Sequence, residues 1–328
     1  MAENLPTLSD VAARAGVSLA TASRALNGSV RRVKPDLHDR VLAAAEELGY
    51  SANVQAQAVA RGHSATVALV VGDITDPYFA EISAGVMRVA AERGLMVTIA
   101  STGPYDSHEG SSLEGDVLAM LRGQRPRAVV FAGTRVIGVP TVISTLQRVA
   151  VVGEGAPGLR TVPVDNYGGA SRLAHALTES GYGEFTILSG PRNLVTVRDR
   201  VDGFCSVAPQ ARVITTEFTR EGGYHAMAQF LATEPLPECV FAVTDVMALG
   251  AIAALRERGF VPGVDVGVAG FGDIPVVTDI TPALTSVALP LDAIGARALE
   301  LALAEGDPVD ADLMQAIVRV RASTPGTH

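Results

Sequence analysis

From Thr66 onward, short apolar runs rich in valine and isoleucine alternate with segments of mixed polarity. The first run is TVALVVG at residues 66–72, and the last is VGVAGFG at 266–272. Strands that are apolar along their whole length are typical of parallel sheets covered by helices on both faces. The stretch is about twice as long as one such sheet needs, so it predicts two α/β lobes. A cleft is expected between the lobes, at the carboxyl ends of the strands.

The N-terminal stretch TLSDVAARAGVSLATASRALN, residues 7–27, predicts two short helices separated by a tight turn. Thr7 is a good N-cap, and the carboxylate of Asp10 suits the first turn of a helix. Gly16 should end the first helix, and Ser18 should cap the second. This layout is a helix-turn-helix, whose second helix lies in the major groove of DNA. The alternative is an alanine-rich helical hairpin without a role in DNA binding.

Two further helical segments are predicted after the helix-turn-helix. Residues 36–48 predict a third helix that Gly49 ends, and residues 53–61 could form a short fourth one. An isolated helix of that length is marginal in water, so the segment is either a flexible linker or folds against a partner copy and DNA. The side chains expected to face outward on the second helix are Leu19, Ala20, Ser23, Arg24 and Asn27.

The net charge of −9 is unevenly distributed along the chain. Residues 1–62 contain seven Lys or Arg and six Asp or Glu, whereas the remainder contains 19 basic and 29 acidic residues. The head is therefore only mildly basic, and its attraction to phosphate is modest. Contacts in the grooves and dimerisation would have to supply much of any DNA affinity.

Several other classes of protein lack support in the sequence. The six histidines have no metal-type spacing, and neither a GxSxG nor a GxxxxGK[ST] motif is present, so we expect no enzyme and no cofactor. No apolar run approaches ~18 residues and the N-terminus does not read as a secretory signal, which indicates a cytoplasmic protein without a membrane span. Cys205 and Cys239 have no CxxC spacing and are expected to be buried thiols.

The whole chain from Thr7 to Val320 resembles the lac repressor (LacI/GalR) family of transcription regulators. The motifs that carry the resemblance are TLSDVAARAGVSLATASRALN, VLAAAEELGY, GDITDPYF, FTREGGY, VTDVMALGA and GFGDIP followed by TPALTSV. The resemblance implies an α/β protein with a three-helix helix-turn-helix head, a hinge helix and a two-lobed core like a periplasmic binding protein. It also implies a regulator, most often a repressor, whose affinity for its operator changes when a small molecule enters the cleft.

The resemblance divides the chain into three parts. These are a DNA-binding head at 1–50, a hinge helix or linker at 51–64 and an effector-binding and dimerisation core at 65–328. Within the core, the first lobe is expected at about 65–164 and 289–328, and the second at about 165–288. The alternative function is a solute-binding protein of a transporter, which the absent export signal and the helix-turn-helix disfavour.

In the head, the resemblance implies which side chains meet DNA. Leu19, Ala20 and Arg24 fall where the family reads base edges, so Arg24 could bind guanine or phosphate and the other two thymine methyls. The side chains better placed for phosphates are Thr7, Thr21, Ser23 and Asn27, although solvation on the helix surface is an equal alternative for Thr21 and Ser23.

In the hinge, the implied contacts are Asn53, Ala56 and Val59. Ser51-Ala52 replaces a frequent Arg-Pro, and Val59 replaces the leucine that usually wedges between base pairs. A shorter, stiffer valine predicts a smaller kink in the DNA.

In the core, the resemblance implies a ligand pocket. Tyr78 and Phe79 should line it from the first lobe, where an aromatic face can stack on a sugar or base ring. Arg198 should contribute its donors from the second lobe, the alternative being a surface ion pair with Asp199 or Asp202. The other residues expected in the pocket are Thr244, Asp245, Phe271 and Asp273.

The chain departs from the usual residues of the family at two positions in the pocket: Thr244 replaces a common asparagine, and Gly272 replaces an acidic residue. The set of groups that bind sugar hydroxyls in the family is therefore incomplete. The effector is therefore a sugar or related metabolite, or it is smaller, less hydroxylated or not a sugar at all. The expected partners are double-stranded DNA with a near-palindromic operator, this effector and a second copy of the chain. The short tail lacks leucine heptads, which favours a homodimer over a tetramer.

Overall fold

The computed structural model describes residues 6–26, 33–50, 64–103, 110–133, 148–154, 158–307 and 309–326. Contacts within the chain divide it into two compact units, residues 1–65 and 66–328. Asn27 and the predicted hinge residues Asn53, Ala56 and Val59 lie outside the described residues. No helix of the described segments is both long and apolar enough to cross a membrane.

The first unit contains the predicted helix-turn-helix and a third helix. Thr7 and Asp10 form a reciprocal cap, in which each side chain accepts a backbone N–H from the other residue. Gly16 ends the first helix in the left-handed region, with φ of 62°. Small side chains allow the helices to meet closely around the fully buried Val11, Ala22 and Val41. The helices are α1 (Leu8–Ala15), α2 (Leu19–Leu26) and α3 (Pro35–Glu47).

The first lobe of the second unit is built on a parallel five-stranded sheet in the order β2-β1-β3-β4-β5. Its strands are β1 (Thr66–Val71), β2 (Met96–Ser101), β3 (Val129–Ala132), β4 (Val149–Val152) and β5 (Arg160–Val162). Its described helices before the crossover are α4 (Pro77–Glu92) and α5 (Gly110–Gln124). The central strands β1 and β3 are buried, as continuous apolar runs predict.

The second lobe is built on a six-stranded sheet in the order β11-β10-β9-β8-β6-β7, parallel except for β11. The strands are β6 (Phe185–Ser189), β7 (Arg212–Thr215), β8 (Cys239–Ala242), β9 (Gly267–Gly272), β10 (Thr285–Ala288) and β11 (Ile317–Arg319). The helices are α6 (Asn166–Glu179), α7 (Val195–Cys205), α8 (Arg220–Thr233) and α9 (Asp245–Glu257), followed by a 3-10 turn (Pro275–Thr278). The two sheets confirm the predicted α/β, two-lobed core.

The C-terminal segment belongs to both lobes. Helix α10 (Leu291–Leu303) packs on α4 of the first lobe so closely that a Cβ at Gly85 would lie 1.9 Å from the carbonyl oxygen of Asp292. Strand β11 instead pairs with β10 of the second lobe. The prediction that residues 289–328 return to the first lobe is therefore wrong for the final strand. That strand adds its backbone hydrogen bonds to the free edge of β10.

Within the described residues, three segments connect the lobes. They follow β5, β10 and α10, and the third is held to the first by hydrogen bonds from the Ala311 N–H to the Thr161 carbonyl and from the Met314 N–H to the Pro163 carbonyl. Because these two connections are held side by side, they form a hinge about which the lobes can rotate.

Candidate DNA-contacting helix and ligand cleft

Helix α2 presents the predicted outward face. Leu19 is 52% exposed, and Ala20 and Arg24 are exposed beside it. Ser23 and Thr21 are partly buried, and the Thr21 hydroxyl shares a 2.8 Å hydrogen bond with that of Ser18. The side chains that could read bases are therefore on the surface of the helix, while small alanines pack beneath them.

The hydrogen-bond donors of Thr7, which were predicted to bind a phosphate, have a partner within the head. Its backbone N–H and its hydroxyl both donate to the Asp10 carboxylate, at 2.8 and 2.7 Å. These hydrogen bonds hold the pKa of Asp10 below its usual value. Both donors of Thr7 are thus used inside the head, and a phosphate here would meet the carboxylate.

Two arginines that the sequence reasoning did not single out position the helices of the head. Arg40 of α3 donates to the carbonyl of Ala15, the last residue of α1. Arg14 pairs with Glu47 at 2.6 Å and joins α1 to α3. The contact to Ala15 satisfies a carbonyl at the helix end, where no partner exists within the helix. It fixes the turn from which α2 starts.

A cavity of about 50 Å³ lies between the two lobes of the core. Five of the predicted ligand-binding residues line it, namely Tyr78, Phe79, Thr244, Asp245 and Phe271. Its remaining polar lining is Asp76, Asn166, Thr196 and Arg200, and its apolar lining includes Val152, Val164, Phe218, Val246 and Ile274. Both lobes therefore contribute side chains to the same cavity.

Arg200 is the positively charged side chain among the residues that line this cavity. It is 2% exposed, and its Nε donates to Asn166 at 2.9 Å while its Nη1 donates to the Val243 carbonyl at 2.7 Å. Its guanidinium carbon lies 3.9 Å from the centroid of the Phe271 ring. Among the described residues, no carboxylate forms an ion pair with it. Burial lowers the pKa of Arg200, partly offset by the nearby Tyr78 and Asp245.

The structure places Arg200, and not the predicted Arg198, in the lining of this cavity. Arg198 is exposed on α7 and lies 3.5 Å from Glu154 and 3.4 Å from Asp199, outside the cavity lining. Two residues along a helix amount to a rotation of about 200°, so Arg198 and Arg200 point in nearly opposite directions. The apolar spacing of the helix could have shown this, because its inward face is Val197, Val201 and Phe204, on which Arg200 also falls.

The carboxyl group of Asp245 is buried at the start of α9. It is 1% exposed and accepts hydrogen bonds from the Ser286 hydroxyl at 2.6 Å and from the Ile274 N–H at 2.9 Å. Burial raises the pKa of Asp245 to about 6, against these hydrogen bonds. The preceding Thr244 accepts from the Met247 N–H and caps the helix. Asp245 is therefore a carboxylate held in place next to the cavity.

Asp273, another of the predicted ligand-binding residues, is paired with a distant arginine. Its two carboxylate oxygens accept from the Arg321 guanidinium, at 2.5 and 3.0 Å, and it does not line the cavity. Its backbone is in the left-handed region, with φ of 57°, which turns the chain at the end of β9. A two-point ion pair of this kind is geometrically specific. No local pattern could have shown the partner, because it follows β11 at the far end of the chain.

Comparison with known proteins identifies both units. Residues 7–53 match the family described as bacterial regulatory proteins, lacI family, and residues 174–324 match the periplasmic binding protein-like domain. The HTH-type transcriptional repressor CytR of Escherichia coli (strain K12) is 31% identical over 312 residues, which cover 92% of this chain and 90% of the relative. This chain belongs to the LacI family.

Solved structures of the family share the fold. A transcriptional regulator CelR–cellobiose complex has a TM-score of 0.70 at 29% identity, covering 97% of this chain and 99% of that one. The lac repressor dimer bound to operator and the anti-inducer ONPF has a TM-score of 0.84 at 21% identity, covering 99% and 100%. As a LacI-family member, the chain is a DNA-binding transcriptional regulator. Its curated relatives are regulators of transcription, unlike transporter binding proteins.

Proposed function

We propose that this regulator is a cytoplasmic repressor that binds a near-palindromic operator as a homodimer and changes its affinity when a small molecule enters the cleft. The observation that carries the proposal is the buried Arg200 in a cavity that both lobes line. CytR is named a repressor, and the lac repressor structure is titled as a dimer on its operator. Both support the proposal, in which the chain acts by binding and performs no chemistry.

Operator recognition is assigned to α2. Leu19 and Ala20 would contact thymine methyls, and Arg24 would donate to guanine. Thr21 and Ser23 would bind phosphate, which positions the helix but carries no sequence information. The mildly basic head supports the need for two copies on two half-sites, because one head offers few contacts.

Effector binding is assigned to the cavity. A ligand can shift operator affinity only if it binds one state of the cleft better than the other. Tyr78 of the first lobe and Arg200 of the second approach each other across the cavity, and their charges and hydrogen bonding influence each other's pKa. A ligand that touches both would therefore sense how far the lobes have closed.

The test compares two neighbouring arginines. Arg200→Gln should abolish the effect of the ligand on operator binding while effector-free affinity stays within about threefold, which is under 1 kcal/mol. Arg198→Gln is the matched control and should keep the response, since its side chain is outside the cavity. Fluorescence anisotropy on an operator selected from random duplexes would measure both, with an effector found by thermal-shift screening.

Two outcomes would contradict the proposal. A normal response in Arg200→Gln, with a lost response in Arg198→Gln, would place the ligand outside the cavity. Footprints of a single monomer on one asymmetric half-site would exclude the dimeric mode of binding.

A further inference from the structure

Four exposed arginines lie at the amino ends of the strands in the first-lobe sheet. The five strands are parallel, with Thr66 of β1 opposite Met96 of β2, so the residues that precede the strands meet at one edge of the sheet. The Arg127 N–H donates to the Thr66 carbonyl at 2.7 Å, which places Arg127 beside the first residue of β1. We call the set the arginine edge, and its members are Arg93, Arg122, Arg125 and Arg127.

The charge of this part of the chain differs from that of the rest of the core. Residues 117–153 contain five arginines and no Asp or Glu, whereas residues 63–328 contain 19 basic and 29 acidic residues. Among the residues that the structure describes, none of the four arginines of the arginine edge forms an ion pair. The arginine edge is therefore a positive surface on an acidic core.

Two other arginines near the same edge show how an arginine with a structural role is held here. Arg148 donates to the Leu303 carbonyl at 3.0 Å, and Arg160, which is buried, donates to the Gly306 carbonyl at 2.7 Å. These hydrogen bonds fasten the end of α10 to β4 and β5. The side chains of the arginine edge are exposed instead.

The dipole of a helix accounts for part of the arginine edge. A cation is favoured near a helix C-terminus, and Arg93 and Arg122 lie at the ends of α4 and α5. The dipole does not account for Arg127, which lies beyond the last turn of α5 and next to the point where the chain enters the core. This arginine is explained by a partner outside the chain.

Arg125 has a backbone conformation that glycine adopts more easily. Its φ is 48°, in the left-handed region, where a residue with a Cβ costs free energy that glycine avoids. Its N–H donates to the Leu121 carbonyl at 3.0 Å, a hydrogen bond that glycine would make equally well. Within the described part of the chain, its side chain makes no hydrogen bond or ion pair. An arginine at this position is therefore costly for the fold and useful only for its charge.

The arrangement of the charges fits a linear array of phosphates better than one small anion. Strands β2 and β3 lie on either side of β1, so the backbones of Arg93 and Arg127 are about two strand spacings, or ~10 Å, apart. Phosphates of one DNA strand follow one another every ~3.4 Å along the helix axis, so an edge of this width faces several of them.

The DNA-binding head is attached to this same edge, because residues 51–64 lead directly to Thr66. The head is only mildly basic, with seven Lys or Arg and six Asp or Glu in residues 1–62. We propose that the arginine edge binds the phosphate backbone of the duplex that the head recognises. The core thereby supplies attraction to DNA that the head lacks. This assignment rests on the proposed function, in which the chain binds an operator.

The test measures operator affinity of the full chain as a function of salt concentration by fluorescence anisotropy. One triple variant removes three charges from the arginine edge, and its control removes three exposed arginines from the second lobe. The substitutions are Arg122→Gln, Arg125→Gln and Arg127→Gln in the first, and Arg192→Gln, Arg212→Gln and Arg220→Gln in the control.

The two triple variants have the same net charge, so a difference between them reports on position. Each phosphate contact contributes about 0.9 to the slope of log Kd against log salt, and a dimer carries two arginine edges. The edge variant should therefore lose at least about two units of slope and bind at least tenfold more weakly at about 100 mM salt. A random duplex should lose the same factor, because phosphate contacts carry no sequence information.

Arg125→Gly separates DNA binding from folding. Glycine adopts a positive φ readily, so the thermal midpoint should not fall, whereas the salt slope should fall by about one to two units. Arg125→Lys keeps the charge and should keep the slope.

Three results would overturn the assignment. They are a triple edge variant that matches its control in slope and affinity, a loss of affinity on the operator without a loss on random DNA, and a thermal midpoint that Arg125→Gly lowers. Failure of the proposed function is distinguishable from these. Binding as a monomer would contradict the proposed dimer, but the two triple variants would still differ, by half the change in slope.

Discussion

Replacing Asp245 by asparagine should change how the stability of the core depends on pH. The pKa of this carboxyl is raised from 3.8 to about 6 by burial in the folded protein. The folded state therefore holds the proton more tightly than the unfolded state. The stabilisation that comes from this tighter proton binding is fully present below pH 3.8 and is lost as the pH rises through 6.

The size of the effect follows from the difference of about 2 pH units between the two states. Each pH unit corresponds to 1.36 kcal/mol, so the wild type should lose about 3 kcal/mol relative to Asp245→Asn between low pH and neutrality. Between pH 5 and pH 7.5, the same pKa values predict a relative loss of about 1.4 kcal/mol. The asparagine cannot accept from both Ser286 and Ile274, and this lost hydrogen bond adds a cost that does not depend on pH.

Urea unfolding followed by far-ultraviolet circular dichroism at several pH values would measure this difference, since the chain contains no tryptophan. Asp76, whose pKa burial also raises, is present in both proteins and largely cancels in the comparison. Asp312→Asn is the control, because it makes the same substitution at an exposed side chain. A wild type that instead gains stability relative to Asp245→Asn as the pH rises would refute the reasoning. In that case the attraction of Arg200 would outweigh burial.

Two further predictions concern packing and the cleft. Gly85→Ala should lower the free energy of unfolding by about 1–3 kcal/mol or more, because the added Cβ would collide with the Asp292 carbonyl. The control is Gly123→Ala on an open helix surface, which should raise the free energy of unfolding by up to ~1 kcal/mol. Equal urea midpoints for the two variants would be inconsistent with the close contact. A double-mutant cycle on the exposed pair of Arg198 and Glu154 should give a coupling energy in ligand affinity of at most about 1 kcal/mol, and this coupling should disappear at high salt. A larger coupling energy that is insensitive to salt would place the pair inside the binding site.

Most of the fold could be predicted from the pattern of apolar residues and from local capping signals in the sequence. Continuous apolar runs such as β3 and β8 indicate buried parallel strands, and they are buried in the structure. The cap at Thr7 and the left-handed Gly16 set the limits of α1 through contacts within a few residues. Such features are local, so a sequence can show them without knowledge of the rest of the chain.

The contacts that the sequence reasoning did not predict join distant parts of the chain, with one exception. The pairing of β11 with β10 and the ion pair of Asp273 with Arg321 join segments that the sequence separates widely. Arg200 is the exception, because its place on the apolar face of α7 was available from helical spacing. The family resemblance pointed to Arg198, whereas the buried arginine that lines the cavity is Arg200, two residues later.

The crossing of the C-terminal segment means that the second lobe cannot be cut out of the chain as one piece. A fragment of residues 165–288 would lack β11 and leave β10 as an unpaired sheet edge. It would also lack Ser323, which is buried and hydrogen-bonds to the Thr285 N–H and the Val268 carbonyl. An open edge beside unsatisfied polar groups favours pairing between molecules. A protease that removed the last residues beyond α10 would therefore produce an aggregating protein rather than a separate ligand-binding lobe.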